Sequence, residues 1–90
     1  MDFMKYIMFN DHVAVIFDPQ LSHKDVARGL QTASFKPTSA GFFSVTPDFP
    51  SKGGDYQIRV SCFGESTTLN MKANPKDEYW IAKRLDPYRE

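Results

Sequence analysis

The sequence predicts a single small α+β domain over residues 1–90, of order ββαβββα, with a mostly antiparallel five-stranded sheet and two helices. Three observations lead there. Residues 56–72 alternate apolar and polar with a period of two, interrupted only at Gly64-Glu65. Residues 5–17 hold two apolar runs around Asn10-Asp11. Two later stretches open on helix-capping patterns, at Ser22 and at Asn74. Period-two alternation marks half-buried strands, and a polar cap ahead of an apolar run marks a helix start.

The first hairpin is apolar at every position, in residues 6–9 and again in 13–17. Asn and Asp tolerate the positive φ that a tight turn needs. A strand without a polar face must be covered on both sides. A helix supplies one cover, and a partner subunit is a candidate for the other. Asp18-Pro19-Gln20 then reads as a turn. Ser22 caps the backbone at Asp25, and Leu21 can staple onto Val26. That helix stops at Gly29 or runs on to about Thr32. Residues 31–39 are polar, contain Pro37 and read as a loop. Residues 40–46 form a third strand with Phe42 and Phe43 on opposite faces. Residues 47–55 carry two prolines and a Gly pair, which forbid regular structure.

The 56–72 hairpin follows. With its turn at Gly64-Glu65, Val60 faces Leu69 and Ile58 faces Met71. The outer face then gathers Gln57, Arg59, Asn70 and Lys72. In the last helix, Asn74 is the N-cap, Pro75 takes the first position and Asp77 completes a capping box. Val26, Leu30, Ile81 and Leu85 are the expected inward helix positions. Tyr79 and Trp80 flank the final apolar stripe, and Pro87 ends the helix.

Composition narrows the classes. Eleven basic residues balance eleven acidic ones, with no run of either sign. That balance argues against strong non-specific nucleic-acid binding. Eight Phe, four Tyr and one Trp argue against a disordered chain. The one cysteine, Cys62, excludes a disulfide framework within the chain and suits a reducing compartment. The opening apolar run is too short for a signal-peptide core or a membrane span, so a cytoplasmic protein is expected.

No residue pattern specifies a chemistry. Cys62 falls on the inward side of its strand, where a free cysteine serves packing. Gly64-Glu65-Ser66 lacks the second glycine of a nucleophile elbow. His12 and His23 have no ligand-spaced companions, and surface or locally bonded roles are expected for both. The Lys52-Gly53-Gly54 run lacks the helix and Lys-Ser/Thr of a phosphate loop. Catalytic residues, a metal site, a cofactor and a small-molecule ligand are therefore not expected.

Two surfaces remain as candidates. One is the polar face Gln57, Arg59, Asn70 and Lys72, which offers cations and amides to an acidic or phosphate group. Neither Arg59 nor Lys72 has an aromatic neighbour on that face within the hairpin, which weakens a base-stacking platform. The other is an interface drawn from Phe42, Phe43, Tyr79 and Trp80, the last two beside Lys83 and Arg84. Aromatic residues and arginine are favoured anchors at interfaces.

Ser39-Ala40-Gly41-Phe42, then Cys62-Phe63-Gly64-Glu65-Ser66, then Leu69, Pro75, Asp77, Ile81 and Leu85 resemble short uncharacterised proteins encoded by bacterial phages and prophages. The opening apolar hairpin followed by Leu21-Ser22-His23 fits the same resemblance. Its motifs are turns, caps and core positions, so it implies an accessory role inside a bacterium and carries over no catalytic residue. The expectation is a non-enzymatic protein-interaction module that forms a homodimer or binds a protein partner. A nucleic-acid-associated protein using the polar sheet face is the alternative. A small enzyme built on Cys62 or Ser66 stands third.

Overall fold

The computed structural model describes residues 3–48 and 57–85. Tyr56, Pro87 and most of the expected 47–55 connection lie outside them. Eight elements run in the order β1 (Phe3–Phe9), β2 (Val13–Phe17), α1 (His23–Leu30), β3 (Pro37–Asp48), β4 (Gln57–Phe63), β5 (Glu65–Ser66), β6 (Met71–Lys72) and α2 (Asp77–Leu85). The α+β class holds. The strand count differs from the expected five: an antiparallel four-stranded sheet, ordered β2-β1-β3-β4, is accompanied by a separate β5-β6 pair.

β1 and β2 form the expected hairpin, with Asn10 at φ 52° and Asp11 at φ 65°. The His12 N–H donates to the Phe9 carbonyl across them. Two left-handed residues in succession match the twist of the flanking strands. The Asn10 side chain holds the 32–36 loop, donating to the Ser34 carbonyl and accepting from the Lys36 N–H.

The fully apolar run of β1 is accounted for within the chain. Tyr6, Ile7, Met8 and Phe9 are all inaccessible to solvent. Tyr6 and Met8 pack with Phe43, Val60 and Ile81 under α2. Ile7 and Phe9 pack on the other face with Ala27 of α1, Phe35, Leu69 and Met71. Burying each such side chain contributes about 1.5–3 kcal/mol. The second cover is therefore α1 together with the β5-β6 pair, and β1 requires no partner subunit for it.

The 56–72 hairpin does not form as the alternation predicts. β4 pairs with β3 instead, placing Val60 opposite Val45 and Ile58 opposite Pro47. Gly64, at φ 75°, turns the chain off the sheet, and the tight turn falls at residues 67–70 with Asn70 at φ 56°. A Cβ on Gly64 would meet the Phe42 ring at 2.8 Å. Across β3, a Cβ on Gly41 would lie 2.9 Å from both the Ala73 Cβ and the Phe63 carbonyl oxygen, so a side chain is excluded where the returning chain crosses. Local alternation was satisfied by a distant strand because β3 is long: it runs from Pro37 to Asp48, and only its second half is needed for β4.

Helix expectations hold at the start of α1, miss the start of α2, which begins at Asp77 after a turn at Pro75-Lys76, and fail at two inward positions. The Ser22 hydroxyl accepts from the Asp25 N–H, as a cap should. The helix continues past Gly29 to Leu30. His23 and Ala27, one turn apart, take the buried stripe of α1, with Val26 half-buried, while Leu30 is exposed. In α2, Ile81 is buried and Leu85 is exposed. Each leucine is the last residue of its short helix. Leu21 is exposed as well.

Candidate functional site

The start of α2 carries the densest polar cluster. Asp77, only 4% exposed, accepts three hydrogen bonds at Oδ2: from the Tyr6 hydroxyl at 2.5 Å, the Ser39 hydroxyl at 2.6 Å and the Asn74 N–H at 3.2 Å. The last is the reach-back half of the predicted capping box, while the Asn74 side chain accepts from the Lys76 N–H and the Asp77 N–H goes to the Asn74 carbonyl. The other two tie β1 and β3 to α2. One residue further on, the Glu78 carboxylate accepts the Cys62 N–H at 2.9 Å.

This cluster fixes α2 and is closed to substrate. Tyr6 is fully buried, and burial together with its bond to Asp77 drives its phenol far above the ordinary value. Burial likewise pushes the Cys62 thiol up to about 12, helped by the nearby Glu78 and Asp77 charges and opposed by a contact with Tyr6. A thiol in that range is not a nucleophile at neutral pH. Ser66 is buried too, its hydroxyl occupied by Thr68 and by the Leu69 N–H inside the turn.

His23 departs from its expected surface or locally bonded role. It is buried between the edges of Phe17 and Phe42, with centroids 5.4 and 5.6 Å away. Its Nε2–H donates to the Gly41 carbonyl at 2.9 Å. Burial lowers its pKa below the ordinary 6.5, with Lys5 acting in the same direction and the Gly41 bond opposing. Helical spacing alone puts His23 on the Ala27 stripe, and the aromatic walls come from strands the local sequence does not reveal.

The polar face predicted for the second hairpin is dispersed. Gln57 and Arg59 lie opposite Asp48 and Thr46 on β4, Lys72 lies opposite Glu65 in the small pair, and Asn70 supplies the left-handed turn. Phe63 shares the Arg59 face of β4, is 44% exposed, and stacks on Phe42 with an interplanar angle of 19°. Phe3 meets both rings edge-on, and the Lys5 ammonium stands 6.0 Å from the Phe42 centroid. The aromatic group on this face therefore gathers around Phe42 and its partner Phe63, the latter four residues along β4 from Arg59. Phe43 faces away and is 1% exposed, which removes it from any surface.

Tyr79 and Trp80 stand where the helix stripe put them, Tyr79 59% exposed and Trp80 half-buried, their rings edge-to-face at 5.0 Å. The Lys83 ammonium lies over the Tyr79 ring at 5.4 Å. What the sequence did not reveal is the neighbour. His12, at the tip of the first hairpin, packs against Trp80 at 5.9 Å. Its Nδ1–H donates to the Asn10 carbonyl at 2.7 Å. His12 and Trp80, together with Val13, Ala14, Lys83 and Arg84, line an open groove of about 300 Å³.

The groove runs beside a bare strand. β2 is an edge of the sheet and reads Val-Ala-Val-Ile-Phe, with no charge and no proline. Among the described residues its backbone bonds only to β1. Edges are ordinarily blunted by lysine, proline, a bulge or a cover, because an uncovered one templates pairing with another chain.

No group of His, Cys, Asp and Glu suited to a metal ion occurs among the described residues, and none of their helices is long and apolar enough to cross a membrane. Fold and site define the class: a small α+β domain with a basic, aromatic groove next to an unpaired apolar edge. Comparison with protein-family models, with curated proteins and with solved structures finds no match.

Proposed function

We propose that the chain is a non-enzymatic protein-interaction module, and that β2 with the adjoining groove is its contact surface. The single observation carrying this reading is the unpaired apolar edge strand. An incoming strand would gain backbone hydrogen bonds along β2, while the groove would select an acidic side chain through Lys83 and Arg84. The acid and hydroxyls that converge elsewhere, Asp77 with Tyr6 and Ser39, are committed to anchoring α2. The resemblance to phage and prophage proteins supports an accessory role in a bacterial cytoplasm. Affinity capture from bacterial lysate, with and without nuclease, tests the reading when followed by amide exchange on the purified complex. A protein that survives nuclease and protects residues 13–17 supports it. A partner that protects only other residues overturns the surface assignment.

A second reading has its own observation. Phe63 lies on the Arg59 face of β4, beside Phe42, Phe3 and Lys5, and aromatic rings with cations on a sheet are what single-stranded nucleic acid uses. Titration with labelled single-stranded DNA and RNA at low salt decides it. Binding that falls when Phe63→Ala and Arg59→Ala are combined supports this reading, and no binding by the wild type ends it.

A further inference from the structure

We infer that the strand added to β2 is β2 of a second copy, paired antiparallel about a twofold axis at Val15. This rests on the interaction reading above and names its partner. Two facts of the chain fit a second copy. First, the edge is self-complementary: in the symmetric register Val13 faces Phe17, Ala14 faces Ile16 and Val15 faces itself, so every pair is apolar. Cross-strand pairs of this kind are the unit of sheet stability. An isologous contact of one patch with itself is also the commonest way soluble chains assemble.

Second, the charges match. Continuing the register by one residue sets His12 opposite Asp18 of the partner subunit. Alternation puts residue 18 on the same face as Ala14 and Ile16, which is the face that carries α2. Asp18 is exposed, and one of its carboxylate oxygens accepts from the Gln20 N–H while the other is open. The exposed Lys83 and Arg84 line the groove beside His12 and Ala14. The partner's carboxylate therefore enters the groove twice per dimer, once at each end of the paired strands. The product is a continuous eight-stranded sheet whose ends are the two β4 strands.

Charge reversal at exposed positions tests this without touching the core. Sedimentation velocity over a concentration series is read for wild type, for Asp18→Lys, and for Lys83→Glu with Arg84→Glu, each first shown to be folded by circular dichroism. Wild type is expected to dimerise, and each reversal to raise the dissociation constant by about tenfold or more through like-charge juxtaposition. Mixing the two variants restores both ends of the interface and is expected to recover the dimer. Register is read separately in a Cys62→Ser background: Val15→Cys crosslinks to itself on oxidation, and Val13→Cys, facing Phe17, does not. A wild type that stays monomeric at every concentration overturns the inference, as does a dimer indifferent to both reversals or crosslinked through Val13→Cys. A monomer whose β2 is protected by a different protein leaves the interaction reading standing and removes only the second copy.

Discussion

The two edges of the main sheet are built on opposite plans. β4 alternates, with Arg59 and Ser61 outward and Val60 and Cys62 under α2, and its Cys62 N–H is taken by Glu78 from the helix above. β2 is apolar throughout and has no such cover. One sheet thus carries a guarded edge and an open one. The difference teaches that burying apolar side chains and satisfying an edge backbone are separate problems. β1 and β2 solve the first through α1, α2 and the β5-β6 pair, while β2 leaves the second unsolved.

The contrast depends on α2 being held in place, so its anchor gives the largest expected effect. Asp77→Ala strands the Tyr6 and Ser39 hydroxyls and removes the cap, and is expected to cost about 3 kcal/mol in urea unfolding. A loss below about 1 kcal/mol would mean that the cluster does not hold the helix. Glu78→Ala should make the guarded edge resemble the open one. It is expected to cost about 1 kcal/mol and to speed exchange of the Cys62 amide. Unchanged exchange there would show that β4 is protected by something other than Glu78.

His23 gives a pH test confined to the α1 face. Its folded pKa is depressed, so between that value and 6.5 the unfolded chain binds more protons than the folded one. Its contribution to stability is full above 6.5, declines as pH falls below it, and levels off beneath the folded value. Urea midpoints measured from neutral to mildly acidic pH should show this decline in wild type and a flatter profile in His23→Gln. An identical slope in both would place the titrating group elsewhere. The alkylation rate of Cys62 checks the guarded edge directly. At pH 8 the native thiol should react about a hundredfold more slowly than the unfolded chain, because so little of it is thiolate. Equal rates would contradict the burial of Cys62 beneath α2.

Legibility followed range. The Asn10-Asp11 turn, the Ser22 cap and the Asn74–Asp77 box are set by residues within four positions, and each could be read before the fold was known. The 56–72 hairpin could not. Its alternation is real, yet alternation states only that a strand has two faces and leaves its partner open, and the long β3 claimed β4. Gly64 was a genuine turn signal attached to the wrong event. Asp77 was legible as a cap, while its bond to Tyr6, across 71 positions, carries no local sign. Trp80 and Lys83 were legible as a helix edge, but His12 and β2 joined them only through the sheet order. The all-apolar β2 was visible from the start. Its meaning changed once both faces proved to be covered and the free edge remained.

The most direct test of the open edge is residue-resolved amide hydrogen exchange on the wild type as protein concentration rises from low micromolar to near millimolar. Outward amides in residues 13–17 should become progressively protected while those of 57–63 stay constant. Exchange at 13–17 that ignores concentration, or protection that appears at 57–63 instead, would contradict the proposal that β2 is the edge through which this chain meets its own copy.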